Sequence, residues 1–537
     1  NKKERFPDAD RPCRTLDEKI AEPPCKQCTK CEEYTGHIFS ALAPIRTGNN
    51  CFEGSRDIRF TTRAFPCSTF NVQWRMMKLN SSKGLRIDGE YGRTINVPKE
   101  VKTVAETLEK SGFQAYLVGG CLRDLLLKRT PKDWDVATDA TPDVIQKLFP
   151  ESVYENTFGT VGVKTDADAL ELKVVEVTTF RIEGRYTDLR HPDEVKFAKT
   201  IEEDLSRRDL TVNAIAADLG GKLVDPHEGT ADLNKKIIRT VGDPKARFEE
   251  DALRLMRAVR LAAELGFEIE KATKEAIRHH AGLLEAIAKE RIRDEFVKLV
   301  MSDRAAEGVV IMEDLGLLRF VVPELREGIG CGQNKHHIYT VFDHNVRALN
   351  YAAGKHYSLE VRLASLLHDV GKPKTKRGDG PDSTFYNHEV VGAKIAAVIM
   401  DRLRFSKEIT ERVVHLVRHH LFYYNVGEVS EAGVRRFIAR VGPEYIDDLL
   451  KVREGDRIGS GVPKAFPYKL RHLLFMMEKV KKDPIHPKML ALHGDDLMKI
   501  LGIPSGPRVG EILNKLFEEV DKDPKKNKRV YLLGRMK

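Results

Sequence analysis

The chain has 537 residues, 41% of them hydrophobic and 32% charged; that is too long for one ordinary core and, at ~100–200 residues per domain, implies roughly three to five folded units. No uninterrupted apolar run approaches bilayer-crossing length and the start, NKKERFPDAD, lacks a signal-peptide core, which predicts a cytoplasmic protein with no membrane partner. The formal net charge of +9 leans toward a polyanionic partner, although so modest an excess also occurs in ordinary soluble proteins.

Residues 1–95 lack sustained periodicity and are dotted with turn formers, so they read as a poorly ordered extension or small appendage. None of the 11 methionines precedes Met76, which points to natural initiation at Met76 or Met77 and to an upstream extension of the reading frame. Six of the eight cysteines (Cys13, Cys25, Cys28, Cys31, Cys51 and Cys67) fall in this segment; the rest of the chain holds only Cys121 and Cys331, the thiol poverty of a reducing compartment. Cys25, Cys28 and Cys31 have a spacing that suits Zn²⁺ or an iron-sulfur cluster, but no second CxxC answers it, and a metal site is the weaker reading.

From Val97 the texture changes to helix and strand alternation. Residues 98–111 read as an amphipathic helix with Val101, Val104, Ala105 and Leu108 on one face, ended by Gly112. In Tyr116–Thr138, an apolar strand enters Gly119-Gly120, a short basic helix carries Arg123 and Asp124, and a second strand carries Asp133 and Asp135. Strand residues two apart share a face, so both carboxylates project together. Such a pair holds a hard divalent ion against phosphates, while the glycines let backbone approach them. A helix at 142–148 and strands at 160–164 and 170–180 complete a small mixed α/β domain. Leu172, Val174 and Glu176 share a face of the last strand, which makes Glu176 either a third carboxylate or a solvent-facing edge residue.

Residues 181–204 form a charged, turn-rich loop, followed by Leu205–Ala214, in which Arg207 and Arg208 can neutralise phosphates while Asp209 holds one guanidinium in place. Beyond Asp225 the chain is mostly helical. On a helix starting near Phe248, Asp251 and Arg254 are three apart and Arg257 a further step along. The first two form either an intrahelical salt bridge or a planar set of donors and acceptors for a nucleobase edge. Glu290–Asp294 opens the next helix with the same two readings.

In order and spacing, LVGGCLRDLLLKRTPKDWDVAT, RYTDLRHPDEVKF, LSRRDLTVNA, EDALRLMRAVRLAAELGF and ERIRDEF resemble the motifs of the class II tRNA nucleotidyltransferase and bacterial poly(A) polymerase family, over about residues 96–340. The resemblance implies that Asp133 and Asp135 bind catalytic Mg²⁺. Gly119, Gly120 and Arg123 would hold the triphosphate, and Arg207, Arg208 and Asp209 the nucleotide. Asp251 and Arg254 would make Watson–Crick-like bonds to cytosine or adenine, with Arg257 beside them. It implies tRNA, ATP and CTP as partners and two-metal phosphoryl transfer without a template.

Further on, HHIYTVFDHNVRAL and SLLHDVGKPKT carry His344, His368 and Asp369, and Asp456 follows much later, the spacing of the HD phosphohydrolase family. His388, His419 and His420 match positions that some members use for a second metal. Imidazole and carboxylate ligands suit a divalent transition ion such as nickel, manganese or cobalt. The resemblance implies phosphatase or cyclic phosphodiesterase action on RNA ends; the alternative is a helical body that keeps the fold without a working metal site. In the last stretch, Gly502–Pro507 turns between two amphipathic helices, where backbone amides can cradle an RNA phosphate or simply pack.

The expected architecture is a polymerase β-like α/β nucleotidyltransferase head followed by all-α neck, body, HD and tail regions. Its expected divisions are the extension 1–95, head 96–220, helical neck and body 221–335, HD region 336–460 and RNA-binding tail 461–537. The leading functional reading is CCA addition to tRNA with an appended HD phosphohydrolase, as a monomer or homodimer. A poly(A) polymerase and an A-adding enzyme share the same aspartates, the loop at 185–197 weighs against a CC-only enzyme, and a phosphohydrolase with an inert transferase half is the distant alternative.

Overall fold

The computed structural model describes residues 85–87, 93–154, 159–183, 195–334, 338–461 and 468–536. The expected N-terminal extension up to residue 84, with Cys25, Cys28, Cys31 and the Met76 start, lies outside them, as does most of the loop at 185–197.

Helix α1 (Lys99–Lys110) buries Val101, Val104, Ala105 and Leu108, the face that the sequence marks, and ends at Ser111 and Gly112. It packs on a seven-stranded mixed sheet: β1 (Ala115–Val118), β2 (Asp135–Thr138), β3 (Ser152–Tyr154), β4 (Thr160–Lys164), β5 (Val174–Thr179), β6 (Ala216–Asp218) and β7 (Leu223–Val224), in spatial order β7-β6-β1-β2-β5-β4-β3. Only β2 and β5 run parallel; the other pairs are antiparallel. Val136, Ala137 and Thr138 are all buried because apolar clusters cover both faces of the central strands. The expected strand at 170–180 is shorter: Leu170–Leu172 forms a 3₁₀ turn, so Leu172 does not share a strand face with Glu176.

Helix α2 (Gly119–Leu126) follows β1 without a loop. Helix α3 (Ile201–Ser206) starts at a capping box in which Thr200 and Glu203 satisfy each other's backbone amides. Helices α4 (Pro244–Glu250), α5 (Leu253–Leu265) and α6 (Lys289–Met301) form the next layer. The single helix expected from near Phe248 is thus two, because Asp251 is extended (φ −136°, ψ 105°) and its Oδ1 accepts from Leu253 N at 3.0 Å, opening α5.

Helices α7 (Val341–Gly354), α8 (Leu359–Leu367), α9 (His388–Arg402), α10 (Lys407–His419), α11 (Glu431–Val441) and α12 (Ile446–Gly459) build the following helical body. One apolar core runs without a break from Val97 to Val480, whereas Leu490–Leu532 close a small separate one. Buried Arg362 joins α6 to α8 by donating to the carbonyls of Val300 and Ser302, both at 2.9 Å, at the end of α6. Among the described residues no helix is long and apolar enough to cross a membrane.

Candidate functional site

Two sites emerge, and the first lies where β1 turns into α2. Gly119 has φ +71°, open to glycine at little cost, and a Cβ there would stand 3.0 Å from Arg208 Nη1 and 3.1 Å from Asp135 Oδ2. A Cβ on Gly120 would lie 3.7 Å from Arg123 Nη2 and 3.8 Å from Asp133 Oδ1. The glycine turn therefore sits directly against both carboxylates and two guanidiniums. Trp134 is buried, which anchors the strand entrance and leaves Asp133 exposed beside it. Burial pushes the Asp135 carboxyl up to about 6, reinforced by the charge of Asp133 and opposed by Arg208 and Arg123. Oxygen donors at an open edge, beside arginines that answer phosphate, fit Mg²⁺ carried by a triphosphate. Glu176 is the in-register partner of Asp135 on the neighbouring strand and is solvent-exposed.

The arginines are held differently from the expected way. Asp204, almost fully buried, accepts from Arg207 Nη2 at 2.7 Å and from Arg208 Nη2 at 3.2 Å. Burial opposes its charge, yet the two arginines keep its carboxyl below the usual range. Asp209, expected to hold one of these guanidiniums, instead accepts from Arg257 Nε at 2.6 Å and from Asn213 Nδ2 at 3.3 Å. Asn213 Oδ1 in turn accepts from Arg123 Nη1 at 2.7 Å, so buried Arg123, Asn213 and Asp209 and half-buried Arg257 form one chain from the glycine turn to α5.

Asp251 and Arg254 do not pair with each other, because the helix break turns Asp251 away. Asp251 receives both terminal nitrogens of Arg291 (3.3 and 2.9 Å), and Arg254 pairs with Glu250 and donates to the carbonyl of Arg207 at 3.2 Å. Asp204, Asn213 and Glu250 were not singled out from sequence. Asp204 could have been, because it lies three and four residues before the two arginines; Asn213 contacts Arg123 from 90 residues away and leaves no local signal.

The second site lies inside the helical body, where buried imidazoles and carboxylates converge from five elements. His344 Nε2 is 2.9 Å from His368 Nε2, 3.2 Å from Asp369 Oδ2 and 3.3 Å from Asp456 Oδ1. The other Asp369 oxygen, Oδ1, faces His388 Nε2 at 3.3 Å and His420 Nε2 at 3.5 Å. Asp369 thus lies between two groups that could each hold a metal ion, His344–His368–Asp369 and Asp369–His388–His420. The Nδ1 atoms of His368, His388 and His420 each face a backbone carbonyl at 2.7–2.8 Å, which turns every Nε2 lone pair inward. Mixed nitrogen and oxygen donors of this kind fit divalent transition metals. Burial disfavours a charged His368, but Asp369 and Asp456 more than offset it and push its pKa up to about 10.

His419 is the exception among the histidines expected here. One residue along a helix turns a side chain by about 100°, so with His420 directed inward His419 points away and packs on His415, ring centroids 4.5 Å apart. Lys372, buried beside the cluster, forms an ion pair with Asp369 Oδ2 at 2.5 Å and donates to Gln333 Oε1 at 2.6 Å.

Residues 115–239 match the poly A polymerase head domain, 266–329 the probable RNA and SrmB-binding site of polymerase A, and 341–456 the HD domain. The chain is 34% identical over 418 residues to the CCA-adding enzyme of Geobacillus sp. (strain WCH70), covering 78% of this chain and 91% of that protein. It is 38% identical over 340 residues to the A-adding tRNA nucleotidyltransferase of Deinococcus radiodurans, covering 61% and 76%. In structure it resembles the Bacillus stearothermophilus CCA-adding enzyme in complex with CTP, with a TM-score of 0.62, 26% identity, and coverage of 82% of this chain and 98% of that one. With two-thirds and more of such relatives spanned above 30% identity, the chain belongs to the family of tRNA nucleotidyltransferases and poly(A) polymerases.

Proposed function

We propose that this nucleotidyltransferase adds or repairs the 3′-terminal CCA of tRNA from CTP and ATP without a nucleic-acid template. The observation that carries this reading is the continuous line from the Gly119-Gly120 turn, through Arg123, Asn213, Asp209 and Arg257, to the α4–α5 break where Asp251 and Arg254 sit. In this reading the glycine turn with Arg123 and Arg208 receives the triphosphate, and Asp204 keeps Arg207 and Arg208 splayed toward it. Asp251, fixed by Arg291, offers acceptors and Arg254 offers donors to the edge of the incoming base. Asp133 and Asp135 would hold Mg²⁺, which when bound would supply the positive charge that favours deprotonation of the RNA 3′-hydroxyl and offsets charge on the leaving group. The 3′-oxygen bonds to the α-phosphorus, the α–β bridging bond breaks, the hydroxyl proton passes to solvent, and pyrophosphate leaves.

The A-adding relative supports a second reading, addition of the terminal A alone, for which the same Asp251 and Arg254 would serve. We further propose that the buried cluster makes the helical body a metal-dependent phosphohydrolase acting on RNA ends, with His344, His368, Asp369 and Asp456 at one ion and His388 and His420 at a second.

The test is incubation of the purified protein with tRNA ending before the CCA and with tRNA ending in CC, given CTP, ATP or both. Incorporation of C and then A is expected. Addition of A to the CC-ending tRNA alone selects the second reading, and no incorporation with either substrate sinks the transferase proposal.

A further inference from the structure

Beside the buried cluster is a cavity of about 390 Å³ between the residues after α10, helix α11 and Leu473, within the size range of small-ligand sites. Its walls include Phe422, Tyr423, Tyr424, Phe437, Arg436 and Arg440, alongside smaller aliphatic residues. Phe422 and Phe437 meet with ring centroids 4.9 Å apart at 47°, leaving a corner of ring faces and edges. The Arg440 guanidinium lies 5.9 Å from the Phe437 ring centre. Tyr423 is 71% exposed, as a ring used for stacking at a rim must be.

The cavity is tied to the cluster in two ways. Phe422 lies two residues beyond His420, whose Nε2 faces Asp369. Arg453 spans the gap: its guanidinium lies 5.6 Å from the centre of the Phe422 ring while its Nη1 donates to Asp456 Oδ2 at 2.5 Å. A molecule seated in the cavity would therefore touch Phe422, the ring against which the guanidinium that reaches the cluster lies.

Nucleobases have two apolar faces and polar edges, and proteins bind unpaired ones by stacking them on aromatic rings and guanidinium planes, with arginine for the phosphates. From this juxtaposition we propose that the Phe422–Phe437 cavity is a nucleobase site for single-stranded RNA, which seats one of the terminal bases while the terminal phosphate enters the buried cluster. The site rests on the phosphohydrolase reading above and adds to it a requirement for the base. It is separate from the head site, so the protein would hold RNA ends in two places for two reactions. Arg440 would meet a phosphate upstream of the seated base, while Arg436 is paired with Asp521 Oδ2 at 2.9 Å, and Arg453 lies behind Phe422 on the way to the cluster.

The test uses the full chain with Tyr423→Ala and Arg440→Ser, both exposed positions at the rim. The binding probe is a fluorescein-labelled trinucleotide carrying a 3′-phosphate, followed by anisotropy with AMP as competitor. Each variant should weaken its binding roughly tenfold, the effect of losing one stacking partner. In parallel, hydrolysis of a trinucleotide 2′,3′-cyclic phosphate is compared with that of bis(p-nitrophenyl) phosphate, which needs the cluster but has no base; the ratio of the two rates should fall by a similar factor. Unchanged trinucleotide binding in both variants overturns the site, and AMP competing as well as the trinucleotide overturns the RNA terminus as its ligand. If the wild type hydrolyses neither ester, the phosphohydrolase reading fails, and the binding comparison still decides the cavity.

Discussion

The two sites solve the same problem, holding charge against charge, in opposite ways. In the head, strand β2 begins only at Asp135, and Asp133, expected on the same strand, sits in the bend just before it; their neighbours are arginines and glycine backbone. In the helical body, four imidazoles and the carboxylates of Asp369 and Asp456 point at one another in a buried space, each imidazole whose Nδ1 is seen against a carbonyl being locked by its own helix end. In the proposed reading the first arrangement would be completed by what the substrate brings, because a triphosphate can supply the remaining oxygen ligands of a hard ion. The second gathers its nitrogen and oxygen donors from the protein itself, in two three-residue groups that share Asp369 and could each hold an ion. An ion that must arrive and leave with each nucleotide calls for the open site, and one that stays calls for the closed one.

The largest effects come from breaking each site while leaving the other. Asp133→Ala with Asp135→Ala should lower nucleotide incorporation by at least about 10³-fold, since losing the ion forfeits several kcal/mol of charge stabilisation, and should leave the metal content of the helical body unchanged. Asp369→Ala, which removes the carboxylate shared by both histidine groups, should empty the body of transition metal by elemental analysis while incorporation persists. If the first variant also loses transition metal, or the second also loses incorporation, the sites are not independent. Buried Arg362, which links the end of α6 to α8, is then the connection to examine.

A smaller effect is expected between the sites, on the path from the glycine turn to the bases. Arg291 fixes Asp251 through both of its terminal nitrogens. Arg291→Met should free that carboxylate and reduce the preference for CTP and ATP over GTP and UTP by roughly tenfold in kcat/KM, the scale of one bidentate base contact. An equal fall for all four nucleotides would assign Arg291 to folding and not to base choice.

What was legible in the sequence was local. The Gly119-Gly120 turn and the Asp133/Asp135 pair lie within one β-α-β stretch, so glycine chemistry and proximity in the chain bring them together with no long-range knowledge, although strand periodicity does not extend to Asp133, which sits in the bend before β2. The holder of the arginines is not legible: adjacency points to Asp209 beside Arg208, whereas helical geometry favours Asp204, three and four residues back. Asp251 was read as lying in a continuous helix, although an Asp ahead of the apolar run Leu253–Met256 is also a helix-start signal; its partner Arg291 arrives from 40 residues away and depends on packing alone. In the helical body, the family resemblance names both His419 and His420, and only the direction of the chain at the end of α10 decides between them. The Phe422–Phe437 cavity forms where separate segments meet, which no periodicity announces.

The smallest effect tests the openness of the head site through its protons. Asp135 has its carboxyl pushed up to about 6 by burial, against about 3.9 in an unfolded chain. A raised value means that the fold binds this proton more tightly than the unfolded chain does. Below pH ~4 the group is protonated in both states, and the fold has that advantage in full; the advantage is lost as pH rises from ~4 through ~6, above which the fold carries a partly buried carboxylate without a cation. Asp135→Asn mimics the protonated form at every pH. In EDTA the variant should therefore melt above the parent at pH 7.5, by roughly 2 °C for a cost on the order of 1 kcal/mol, and the difference should shrink to nothing toward pH 4. Added Mg²⁺ should raise the melting temperature of the parent at pH 7.5 more than that of the variant, which lacks the charge to hold it. A variant that melts below the parent at pH 7.5, or a gap that does not change with pH, would mean that Asp135 is already paid for by Arg208 and Arg123, and that the head site, like the one in the helical body, is complete before its substrate arrives.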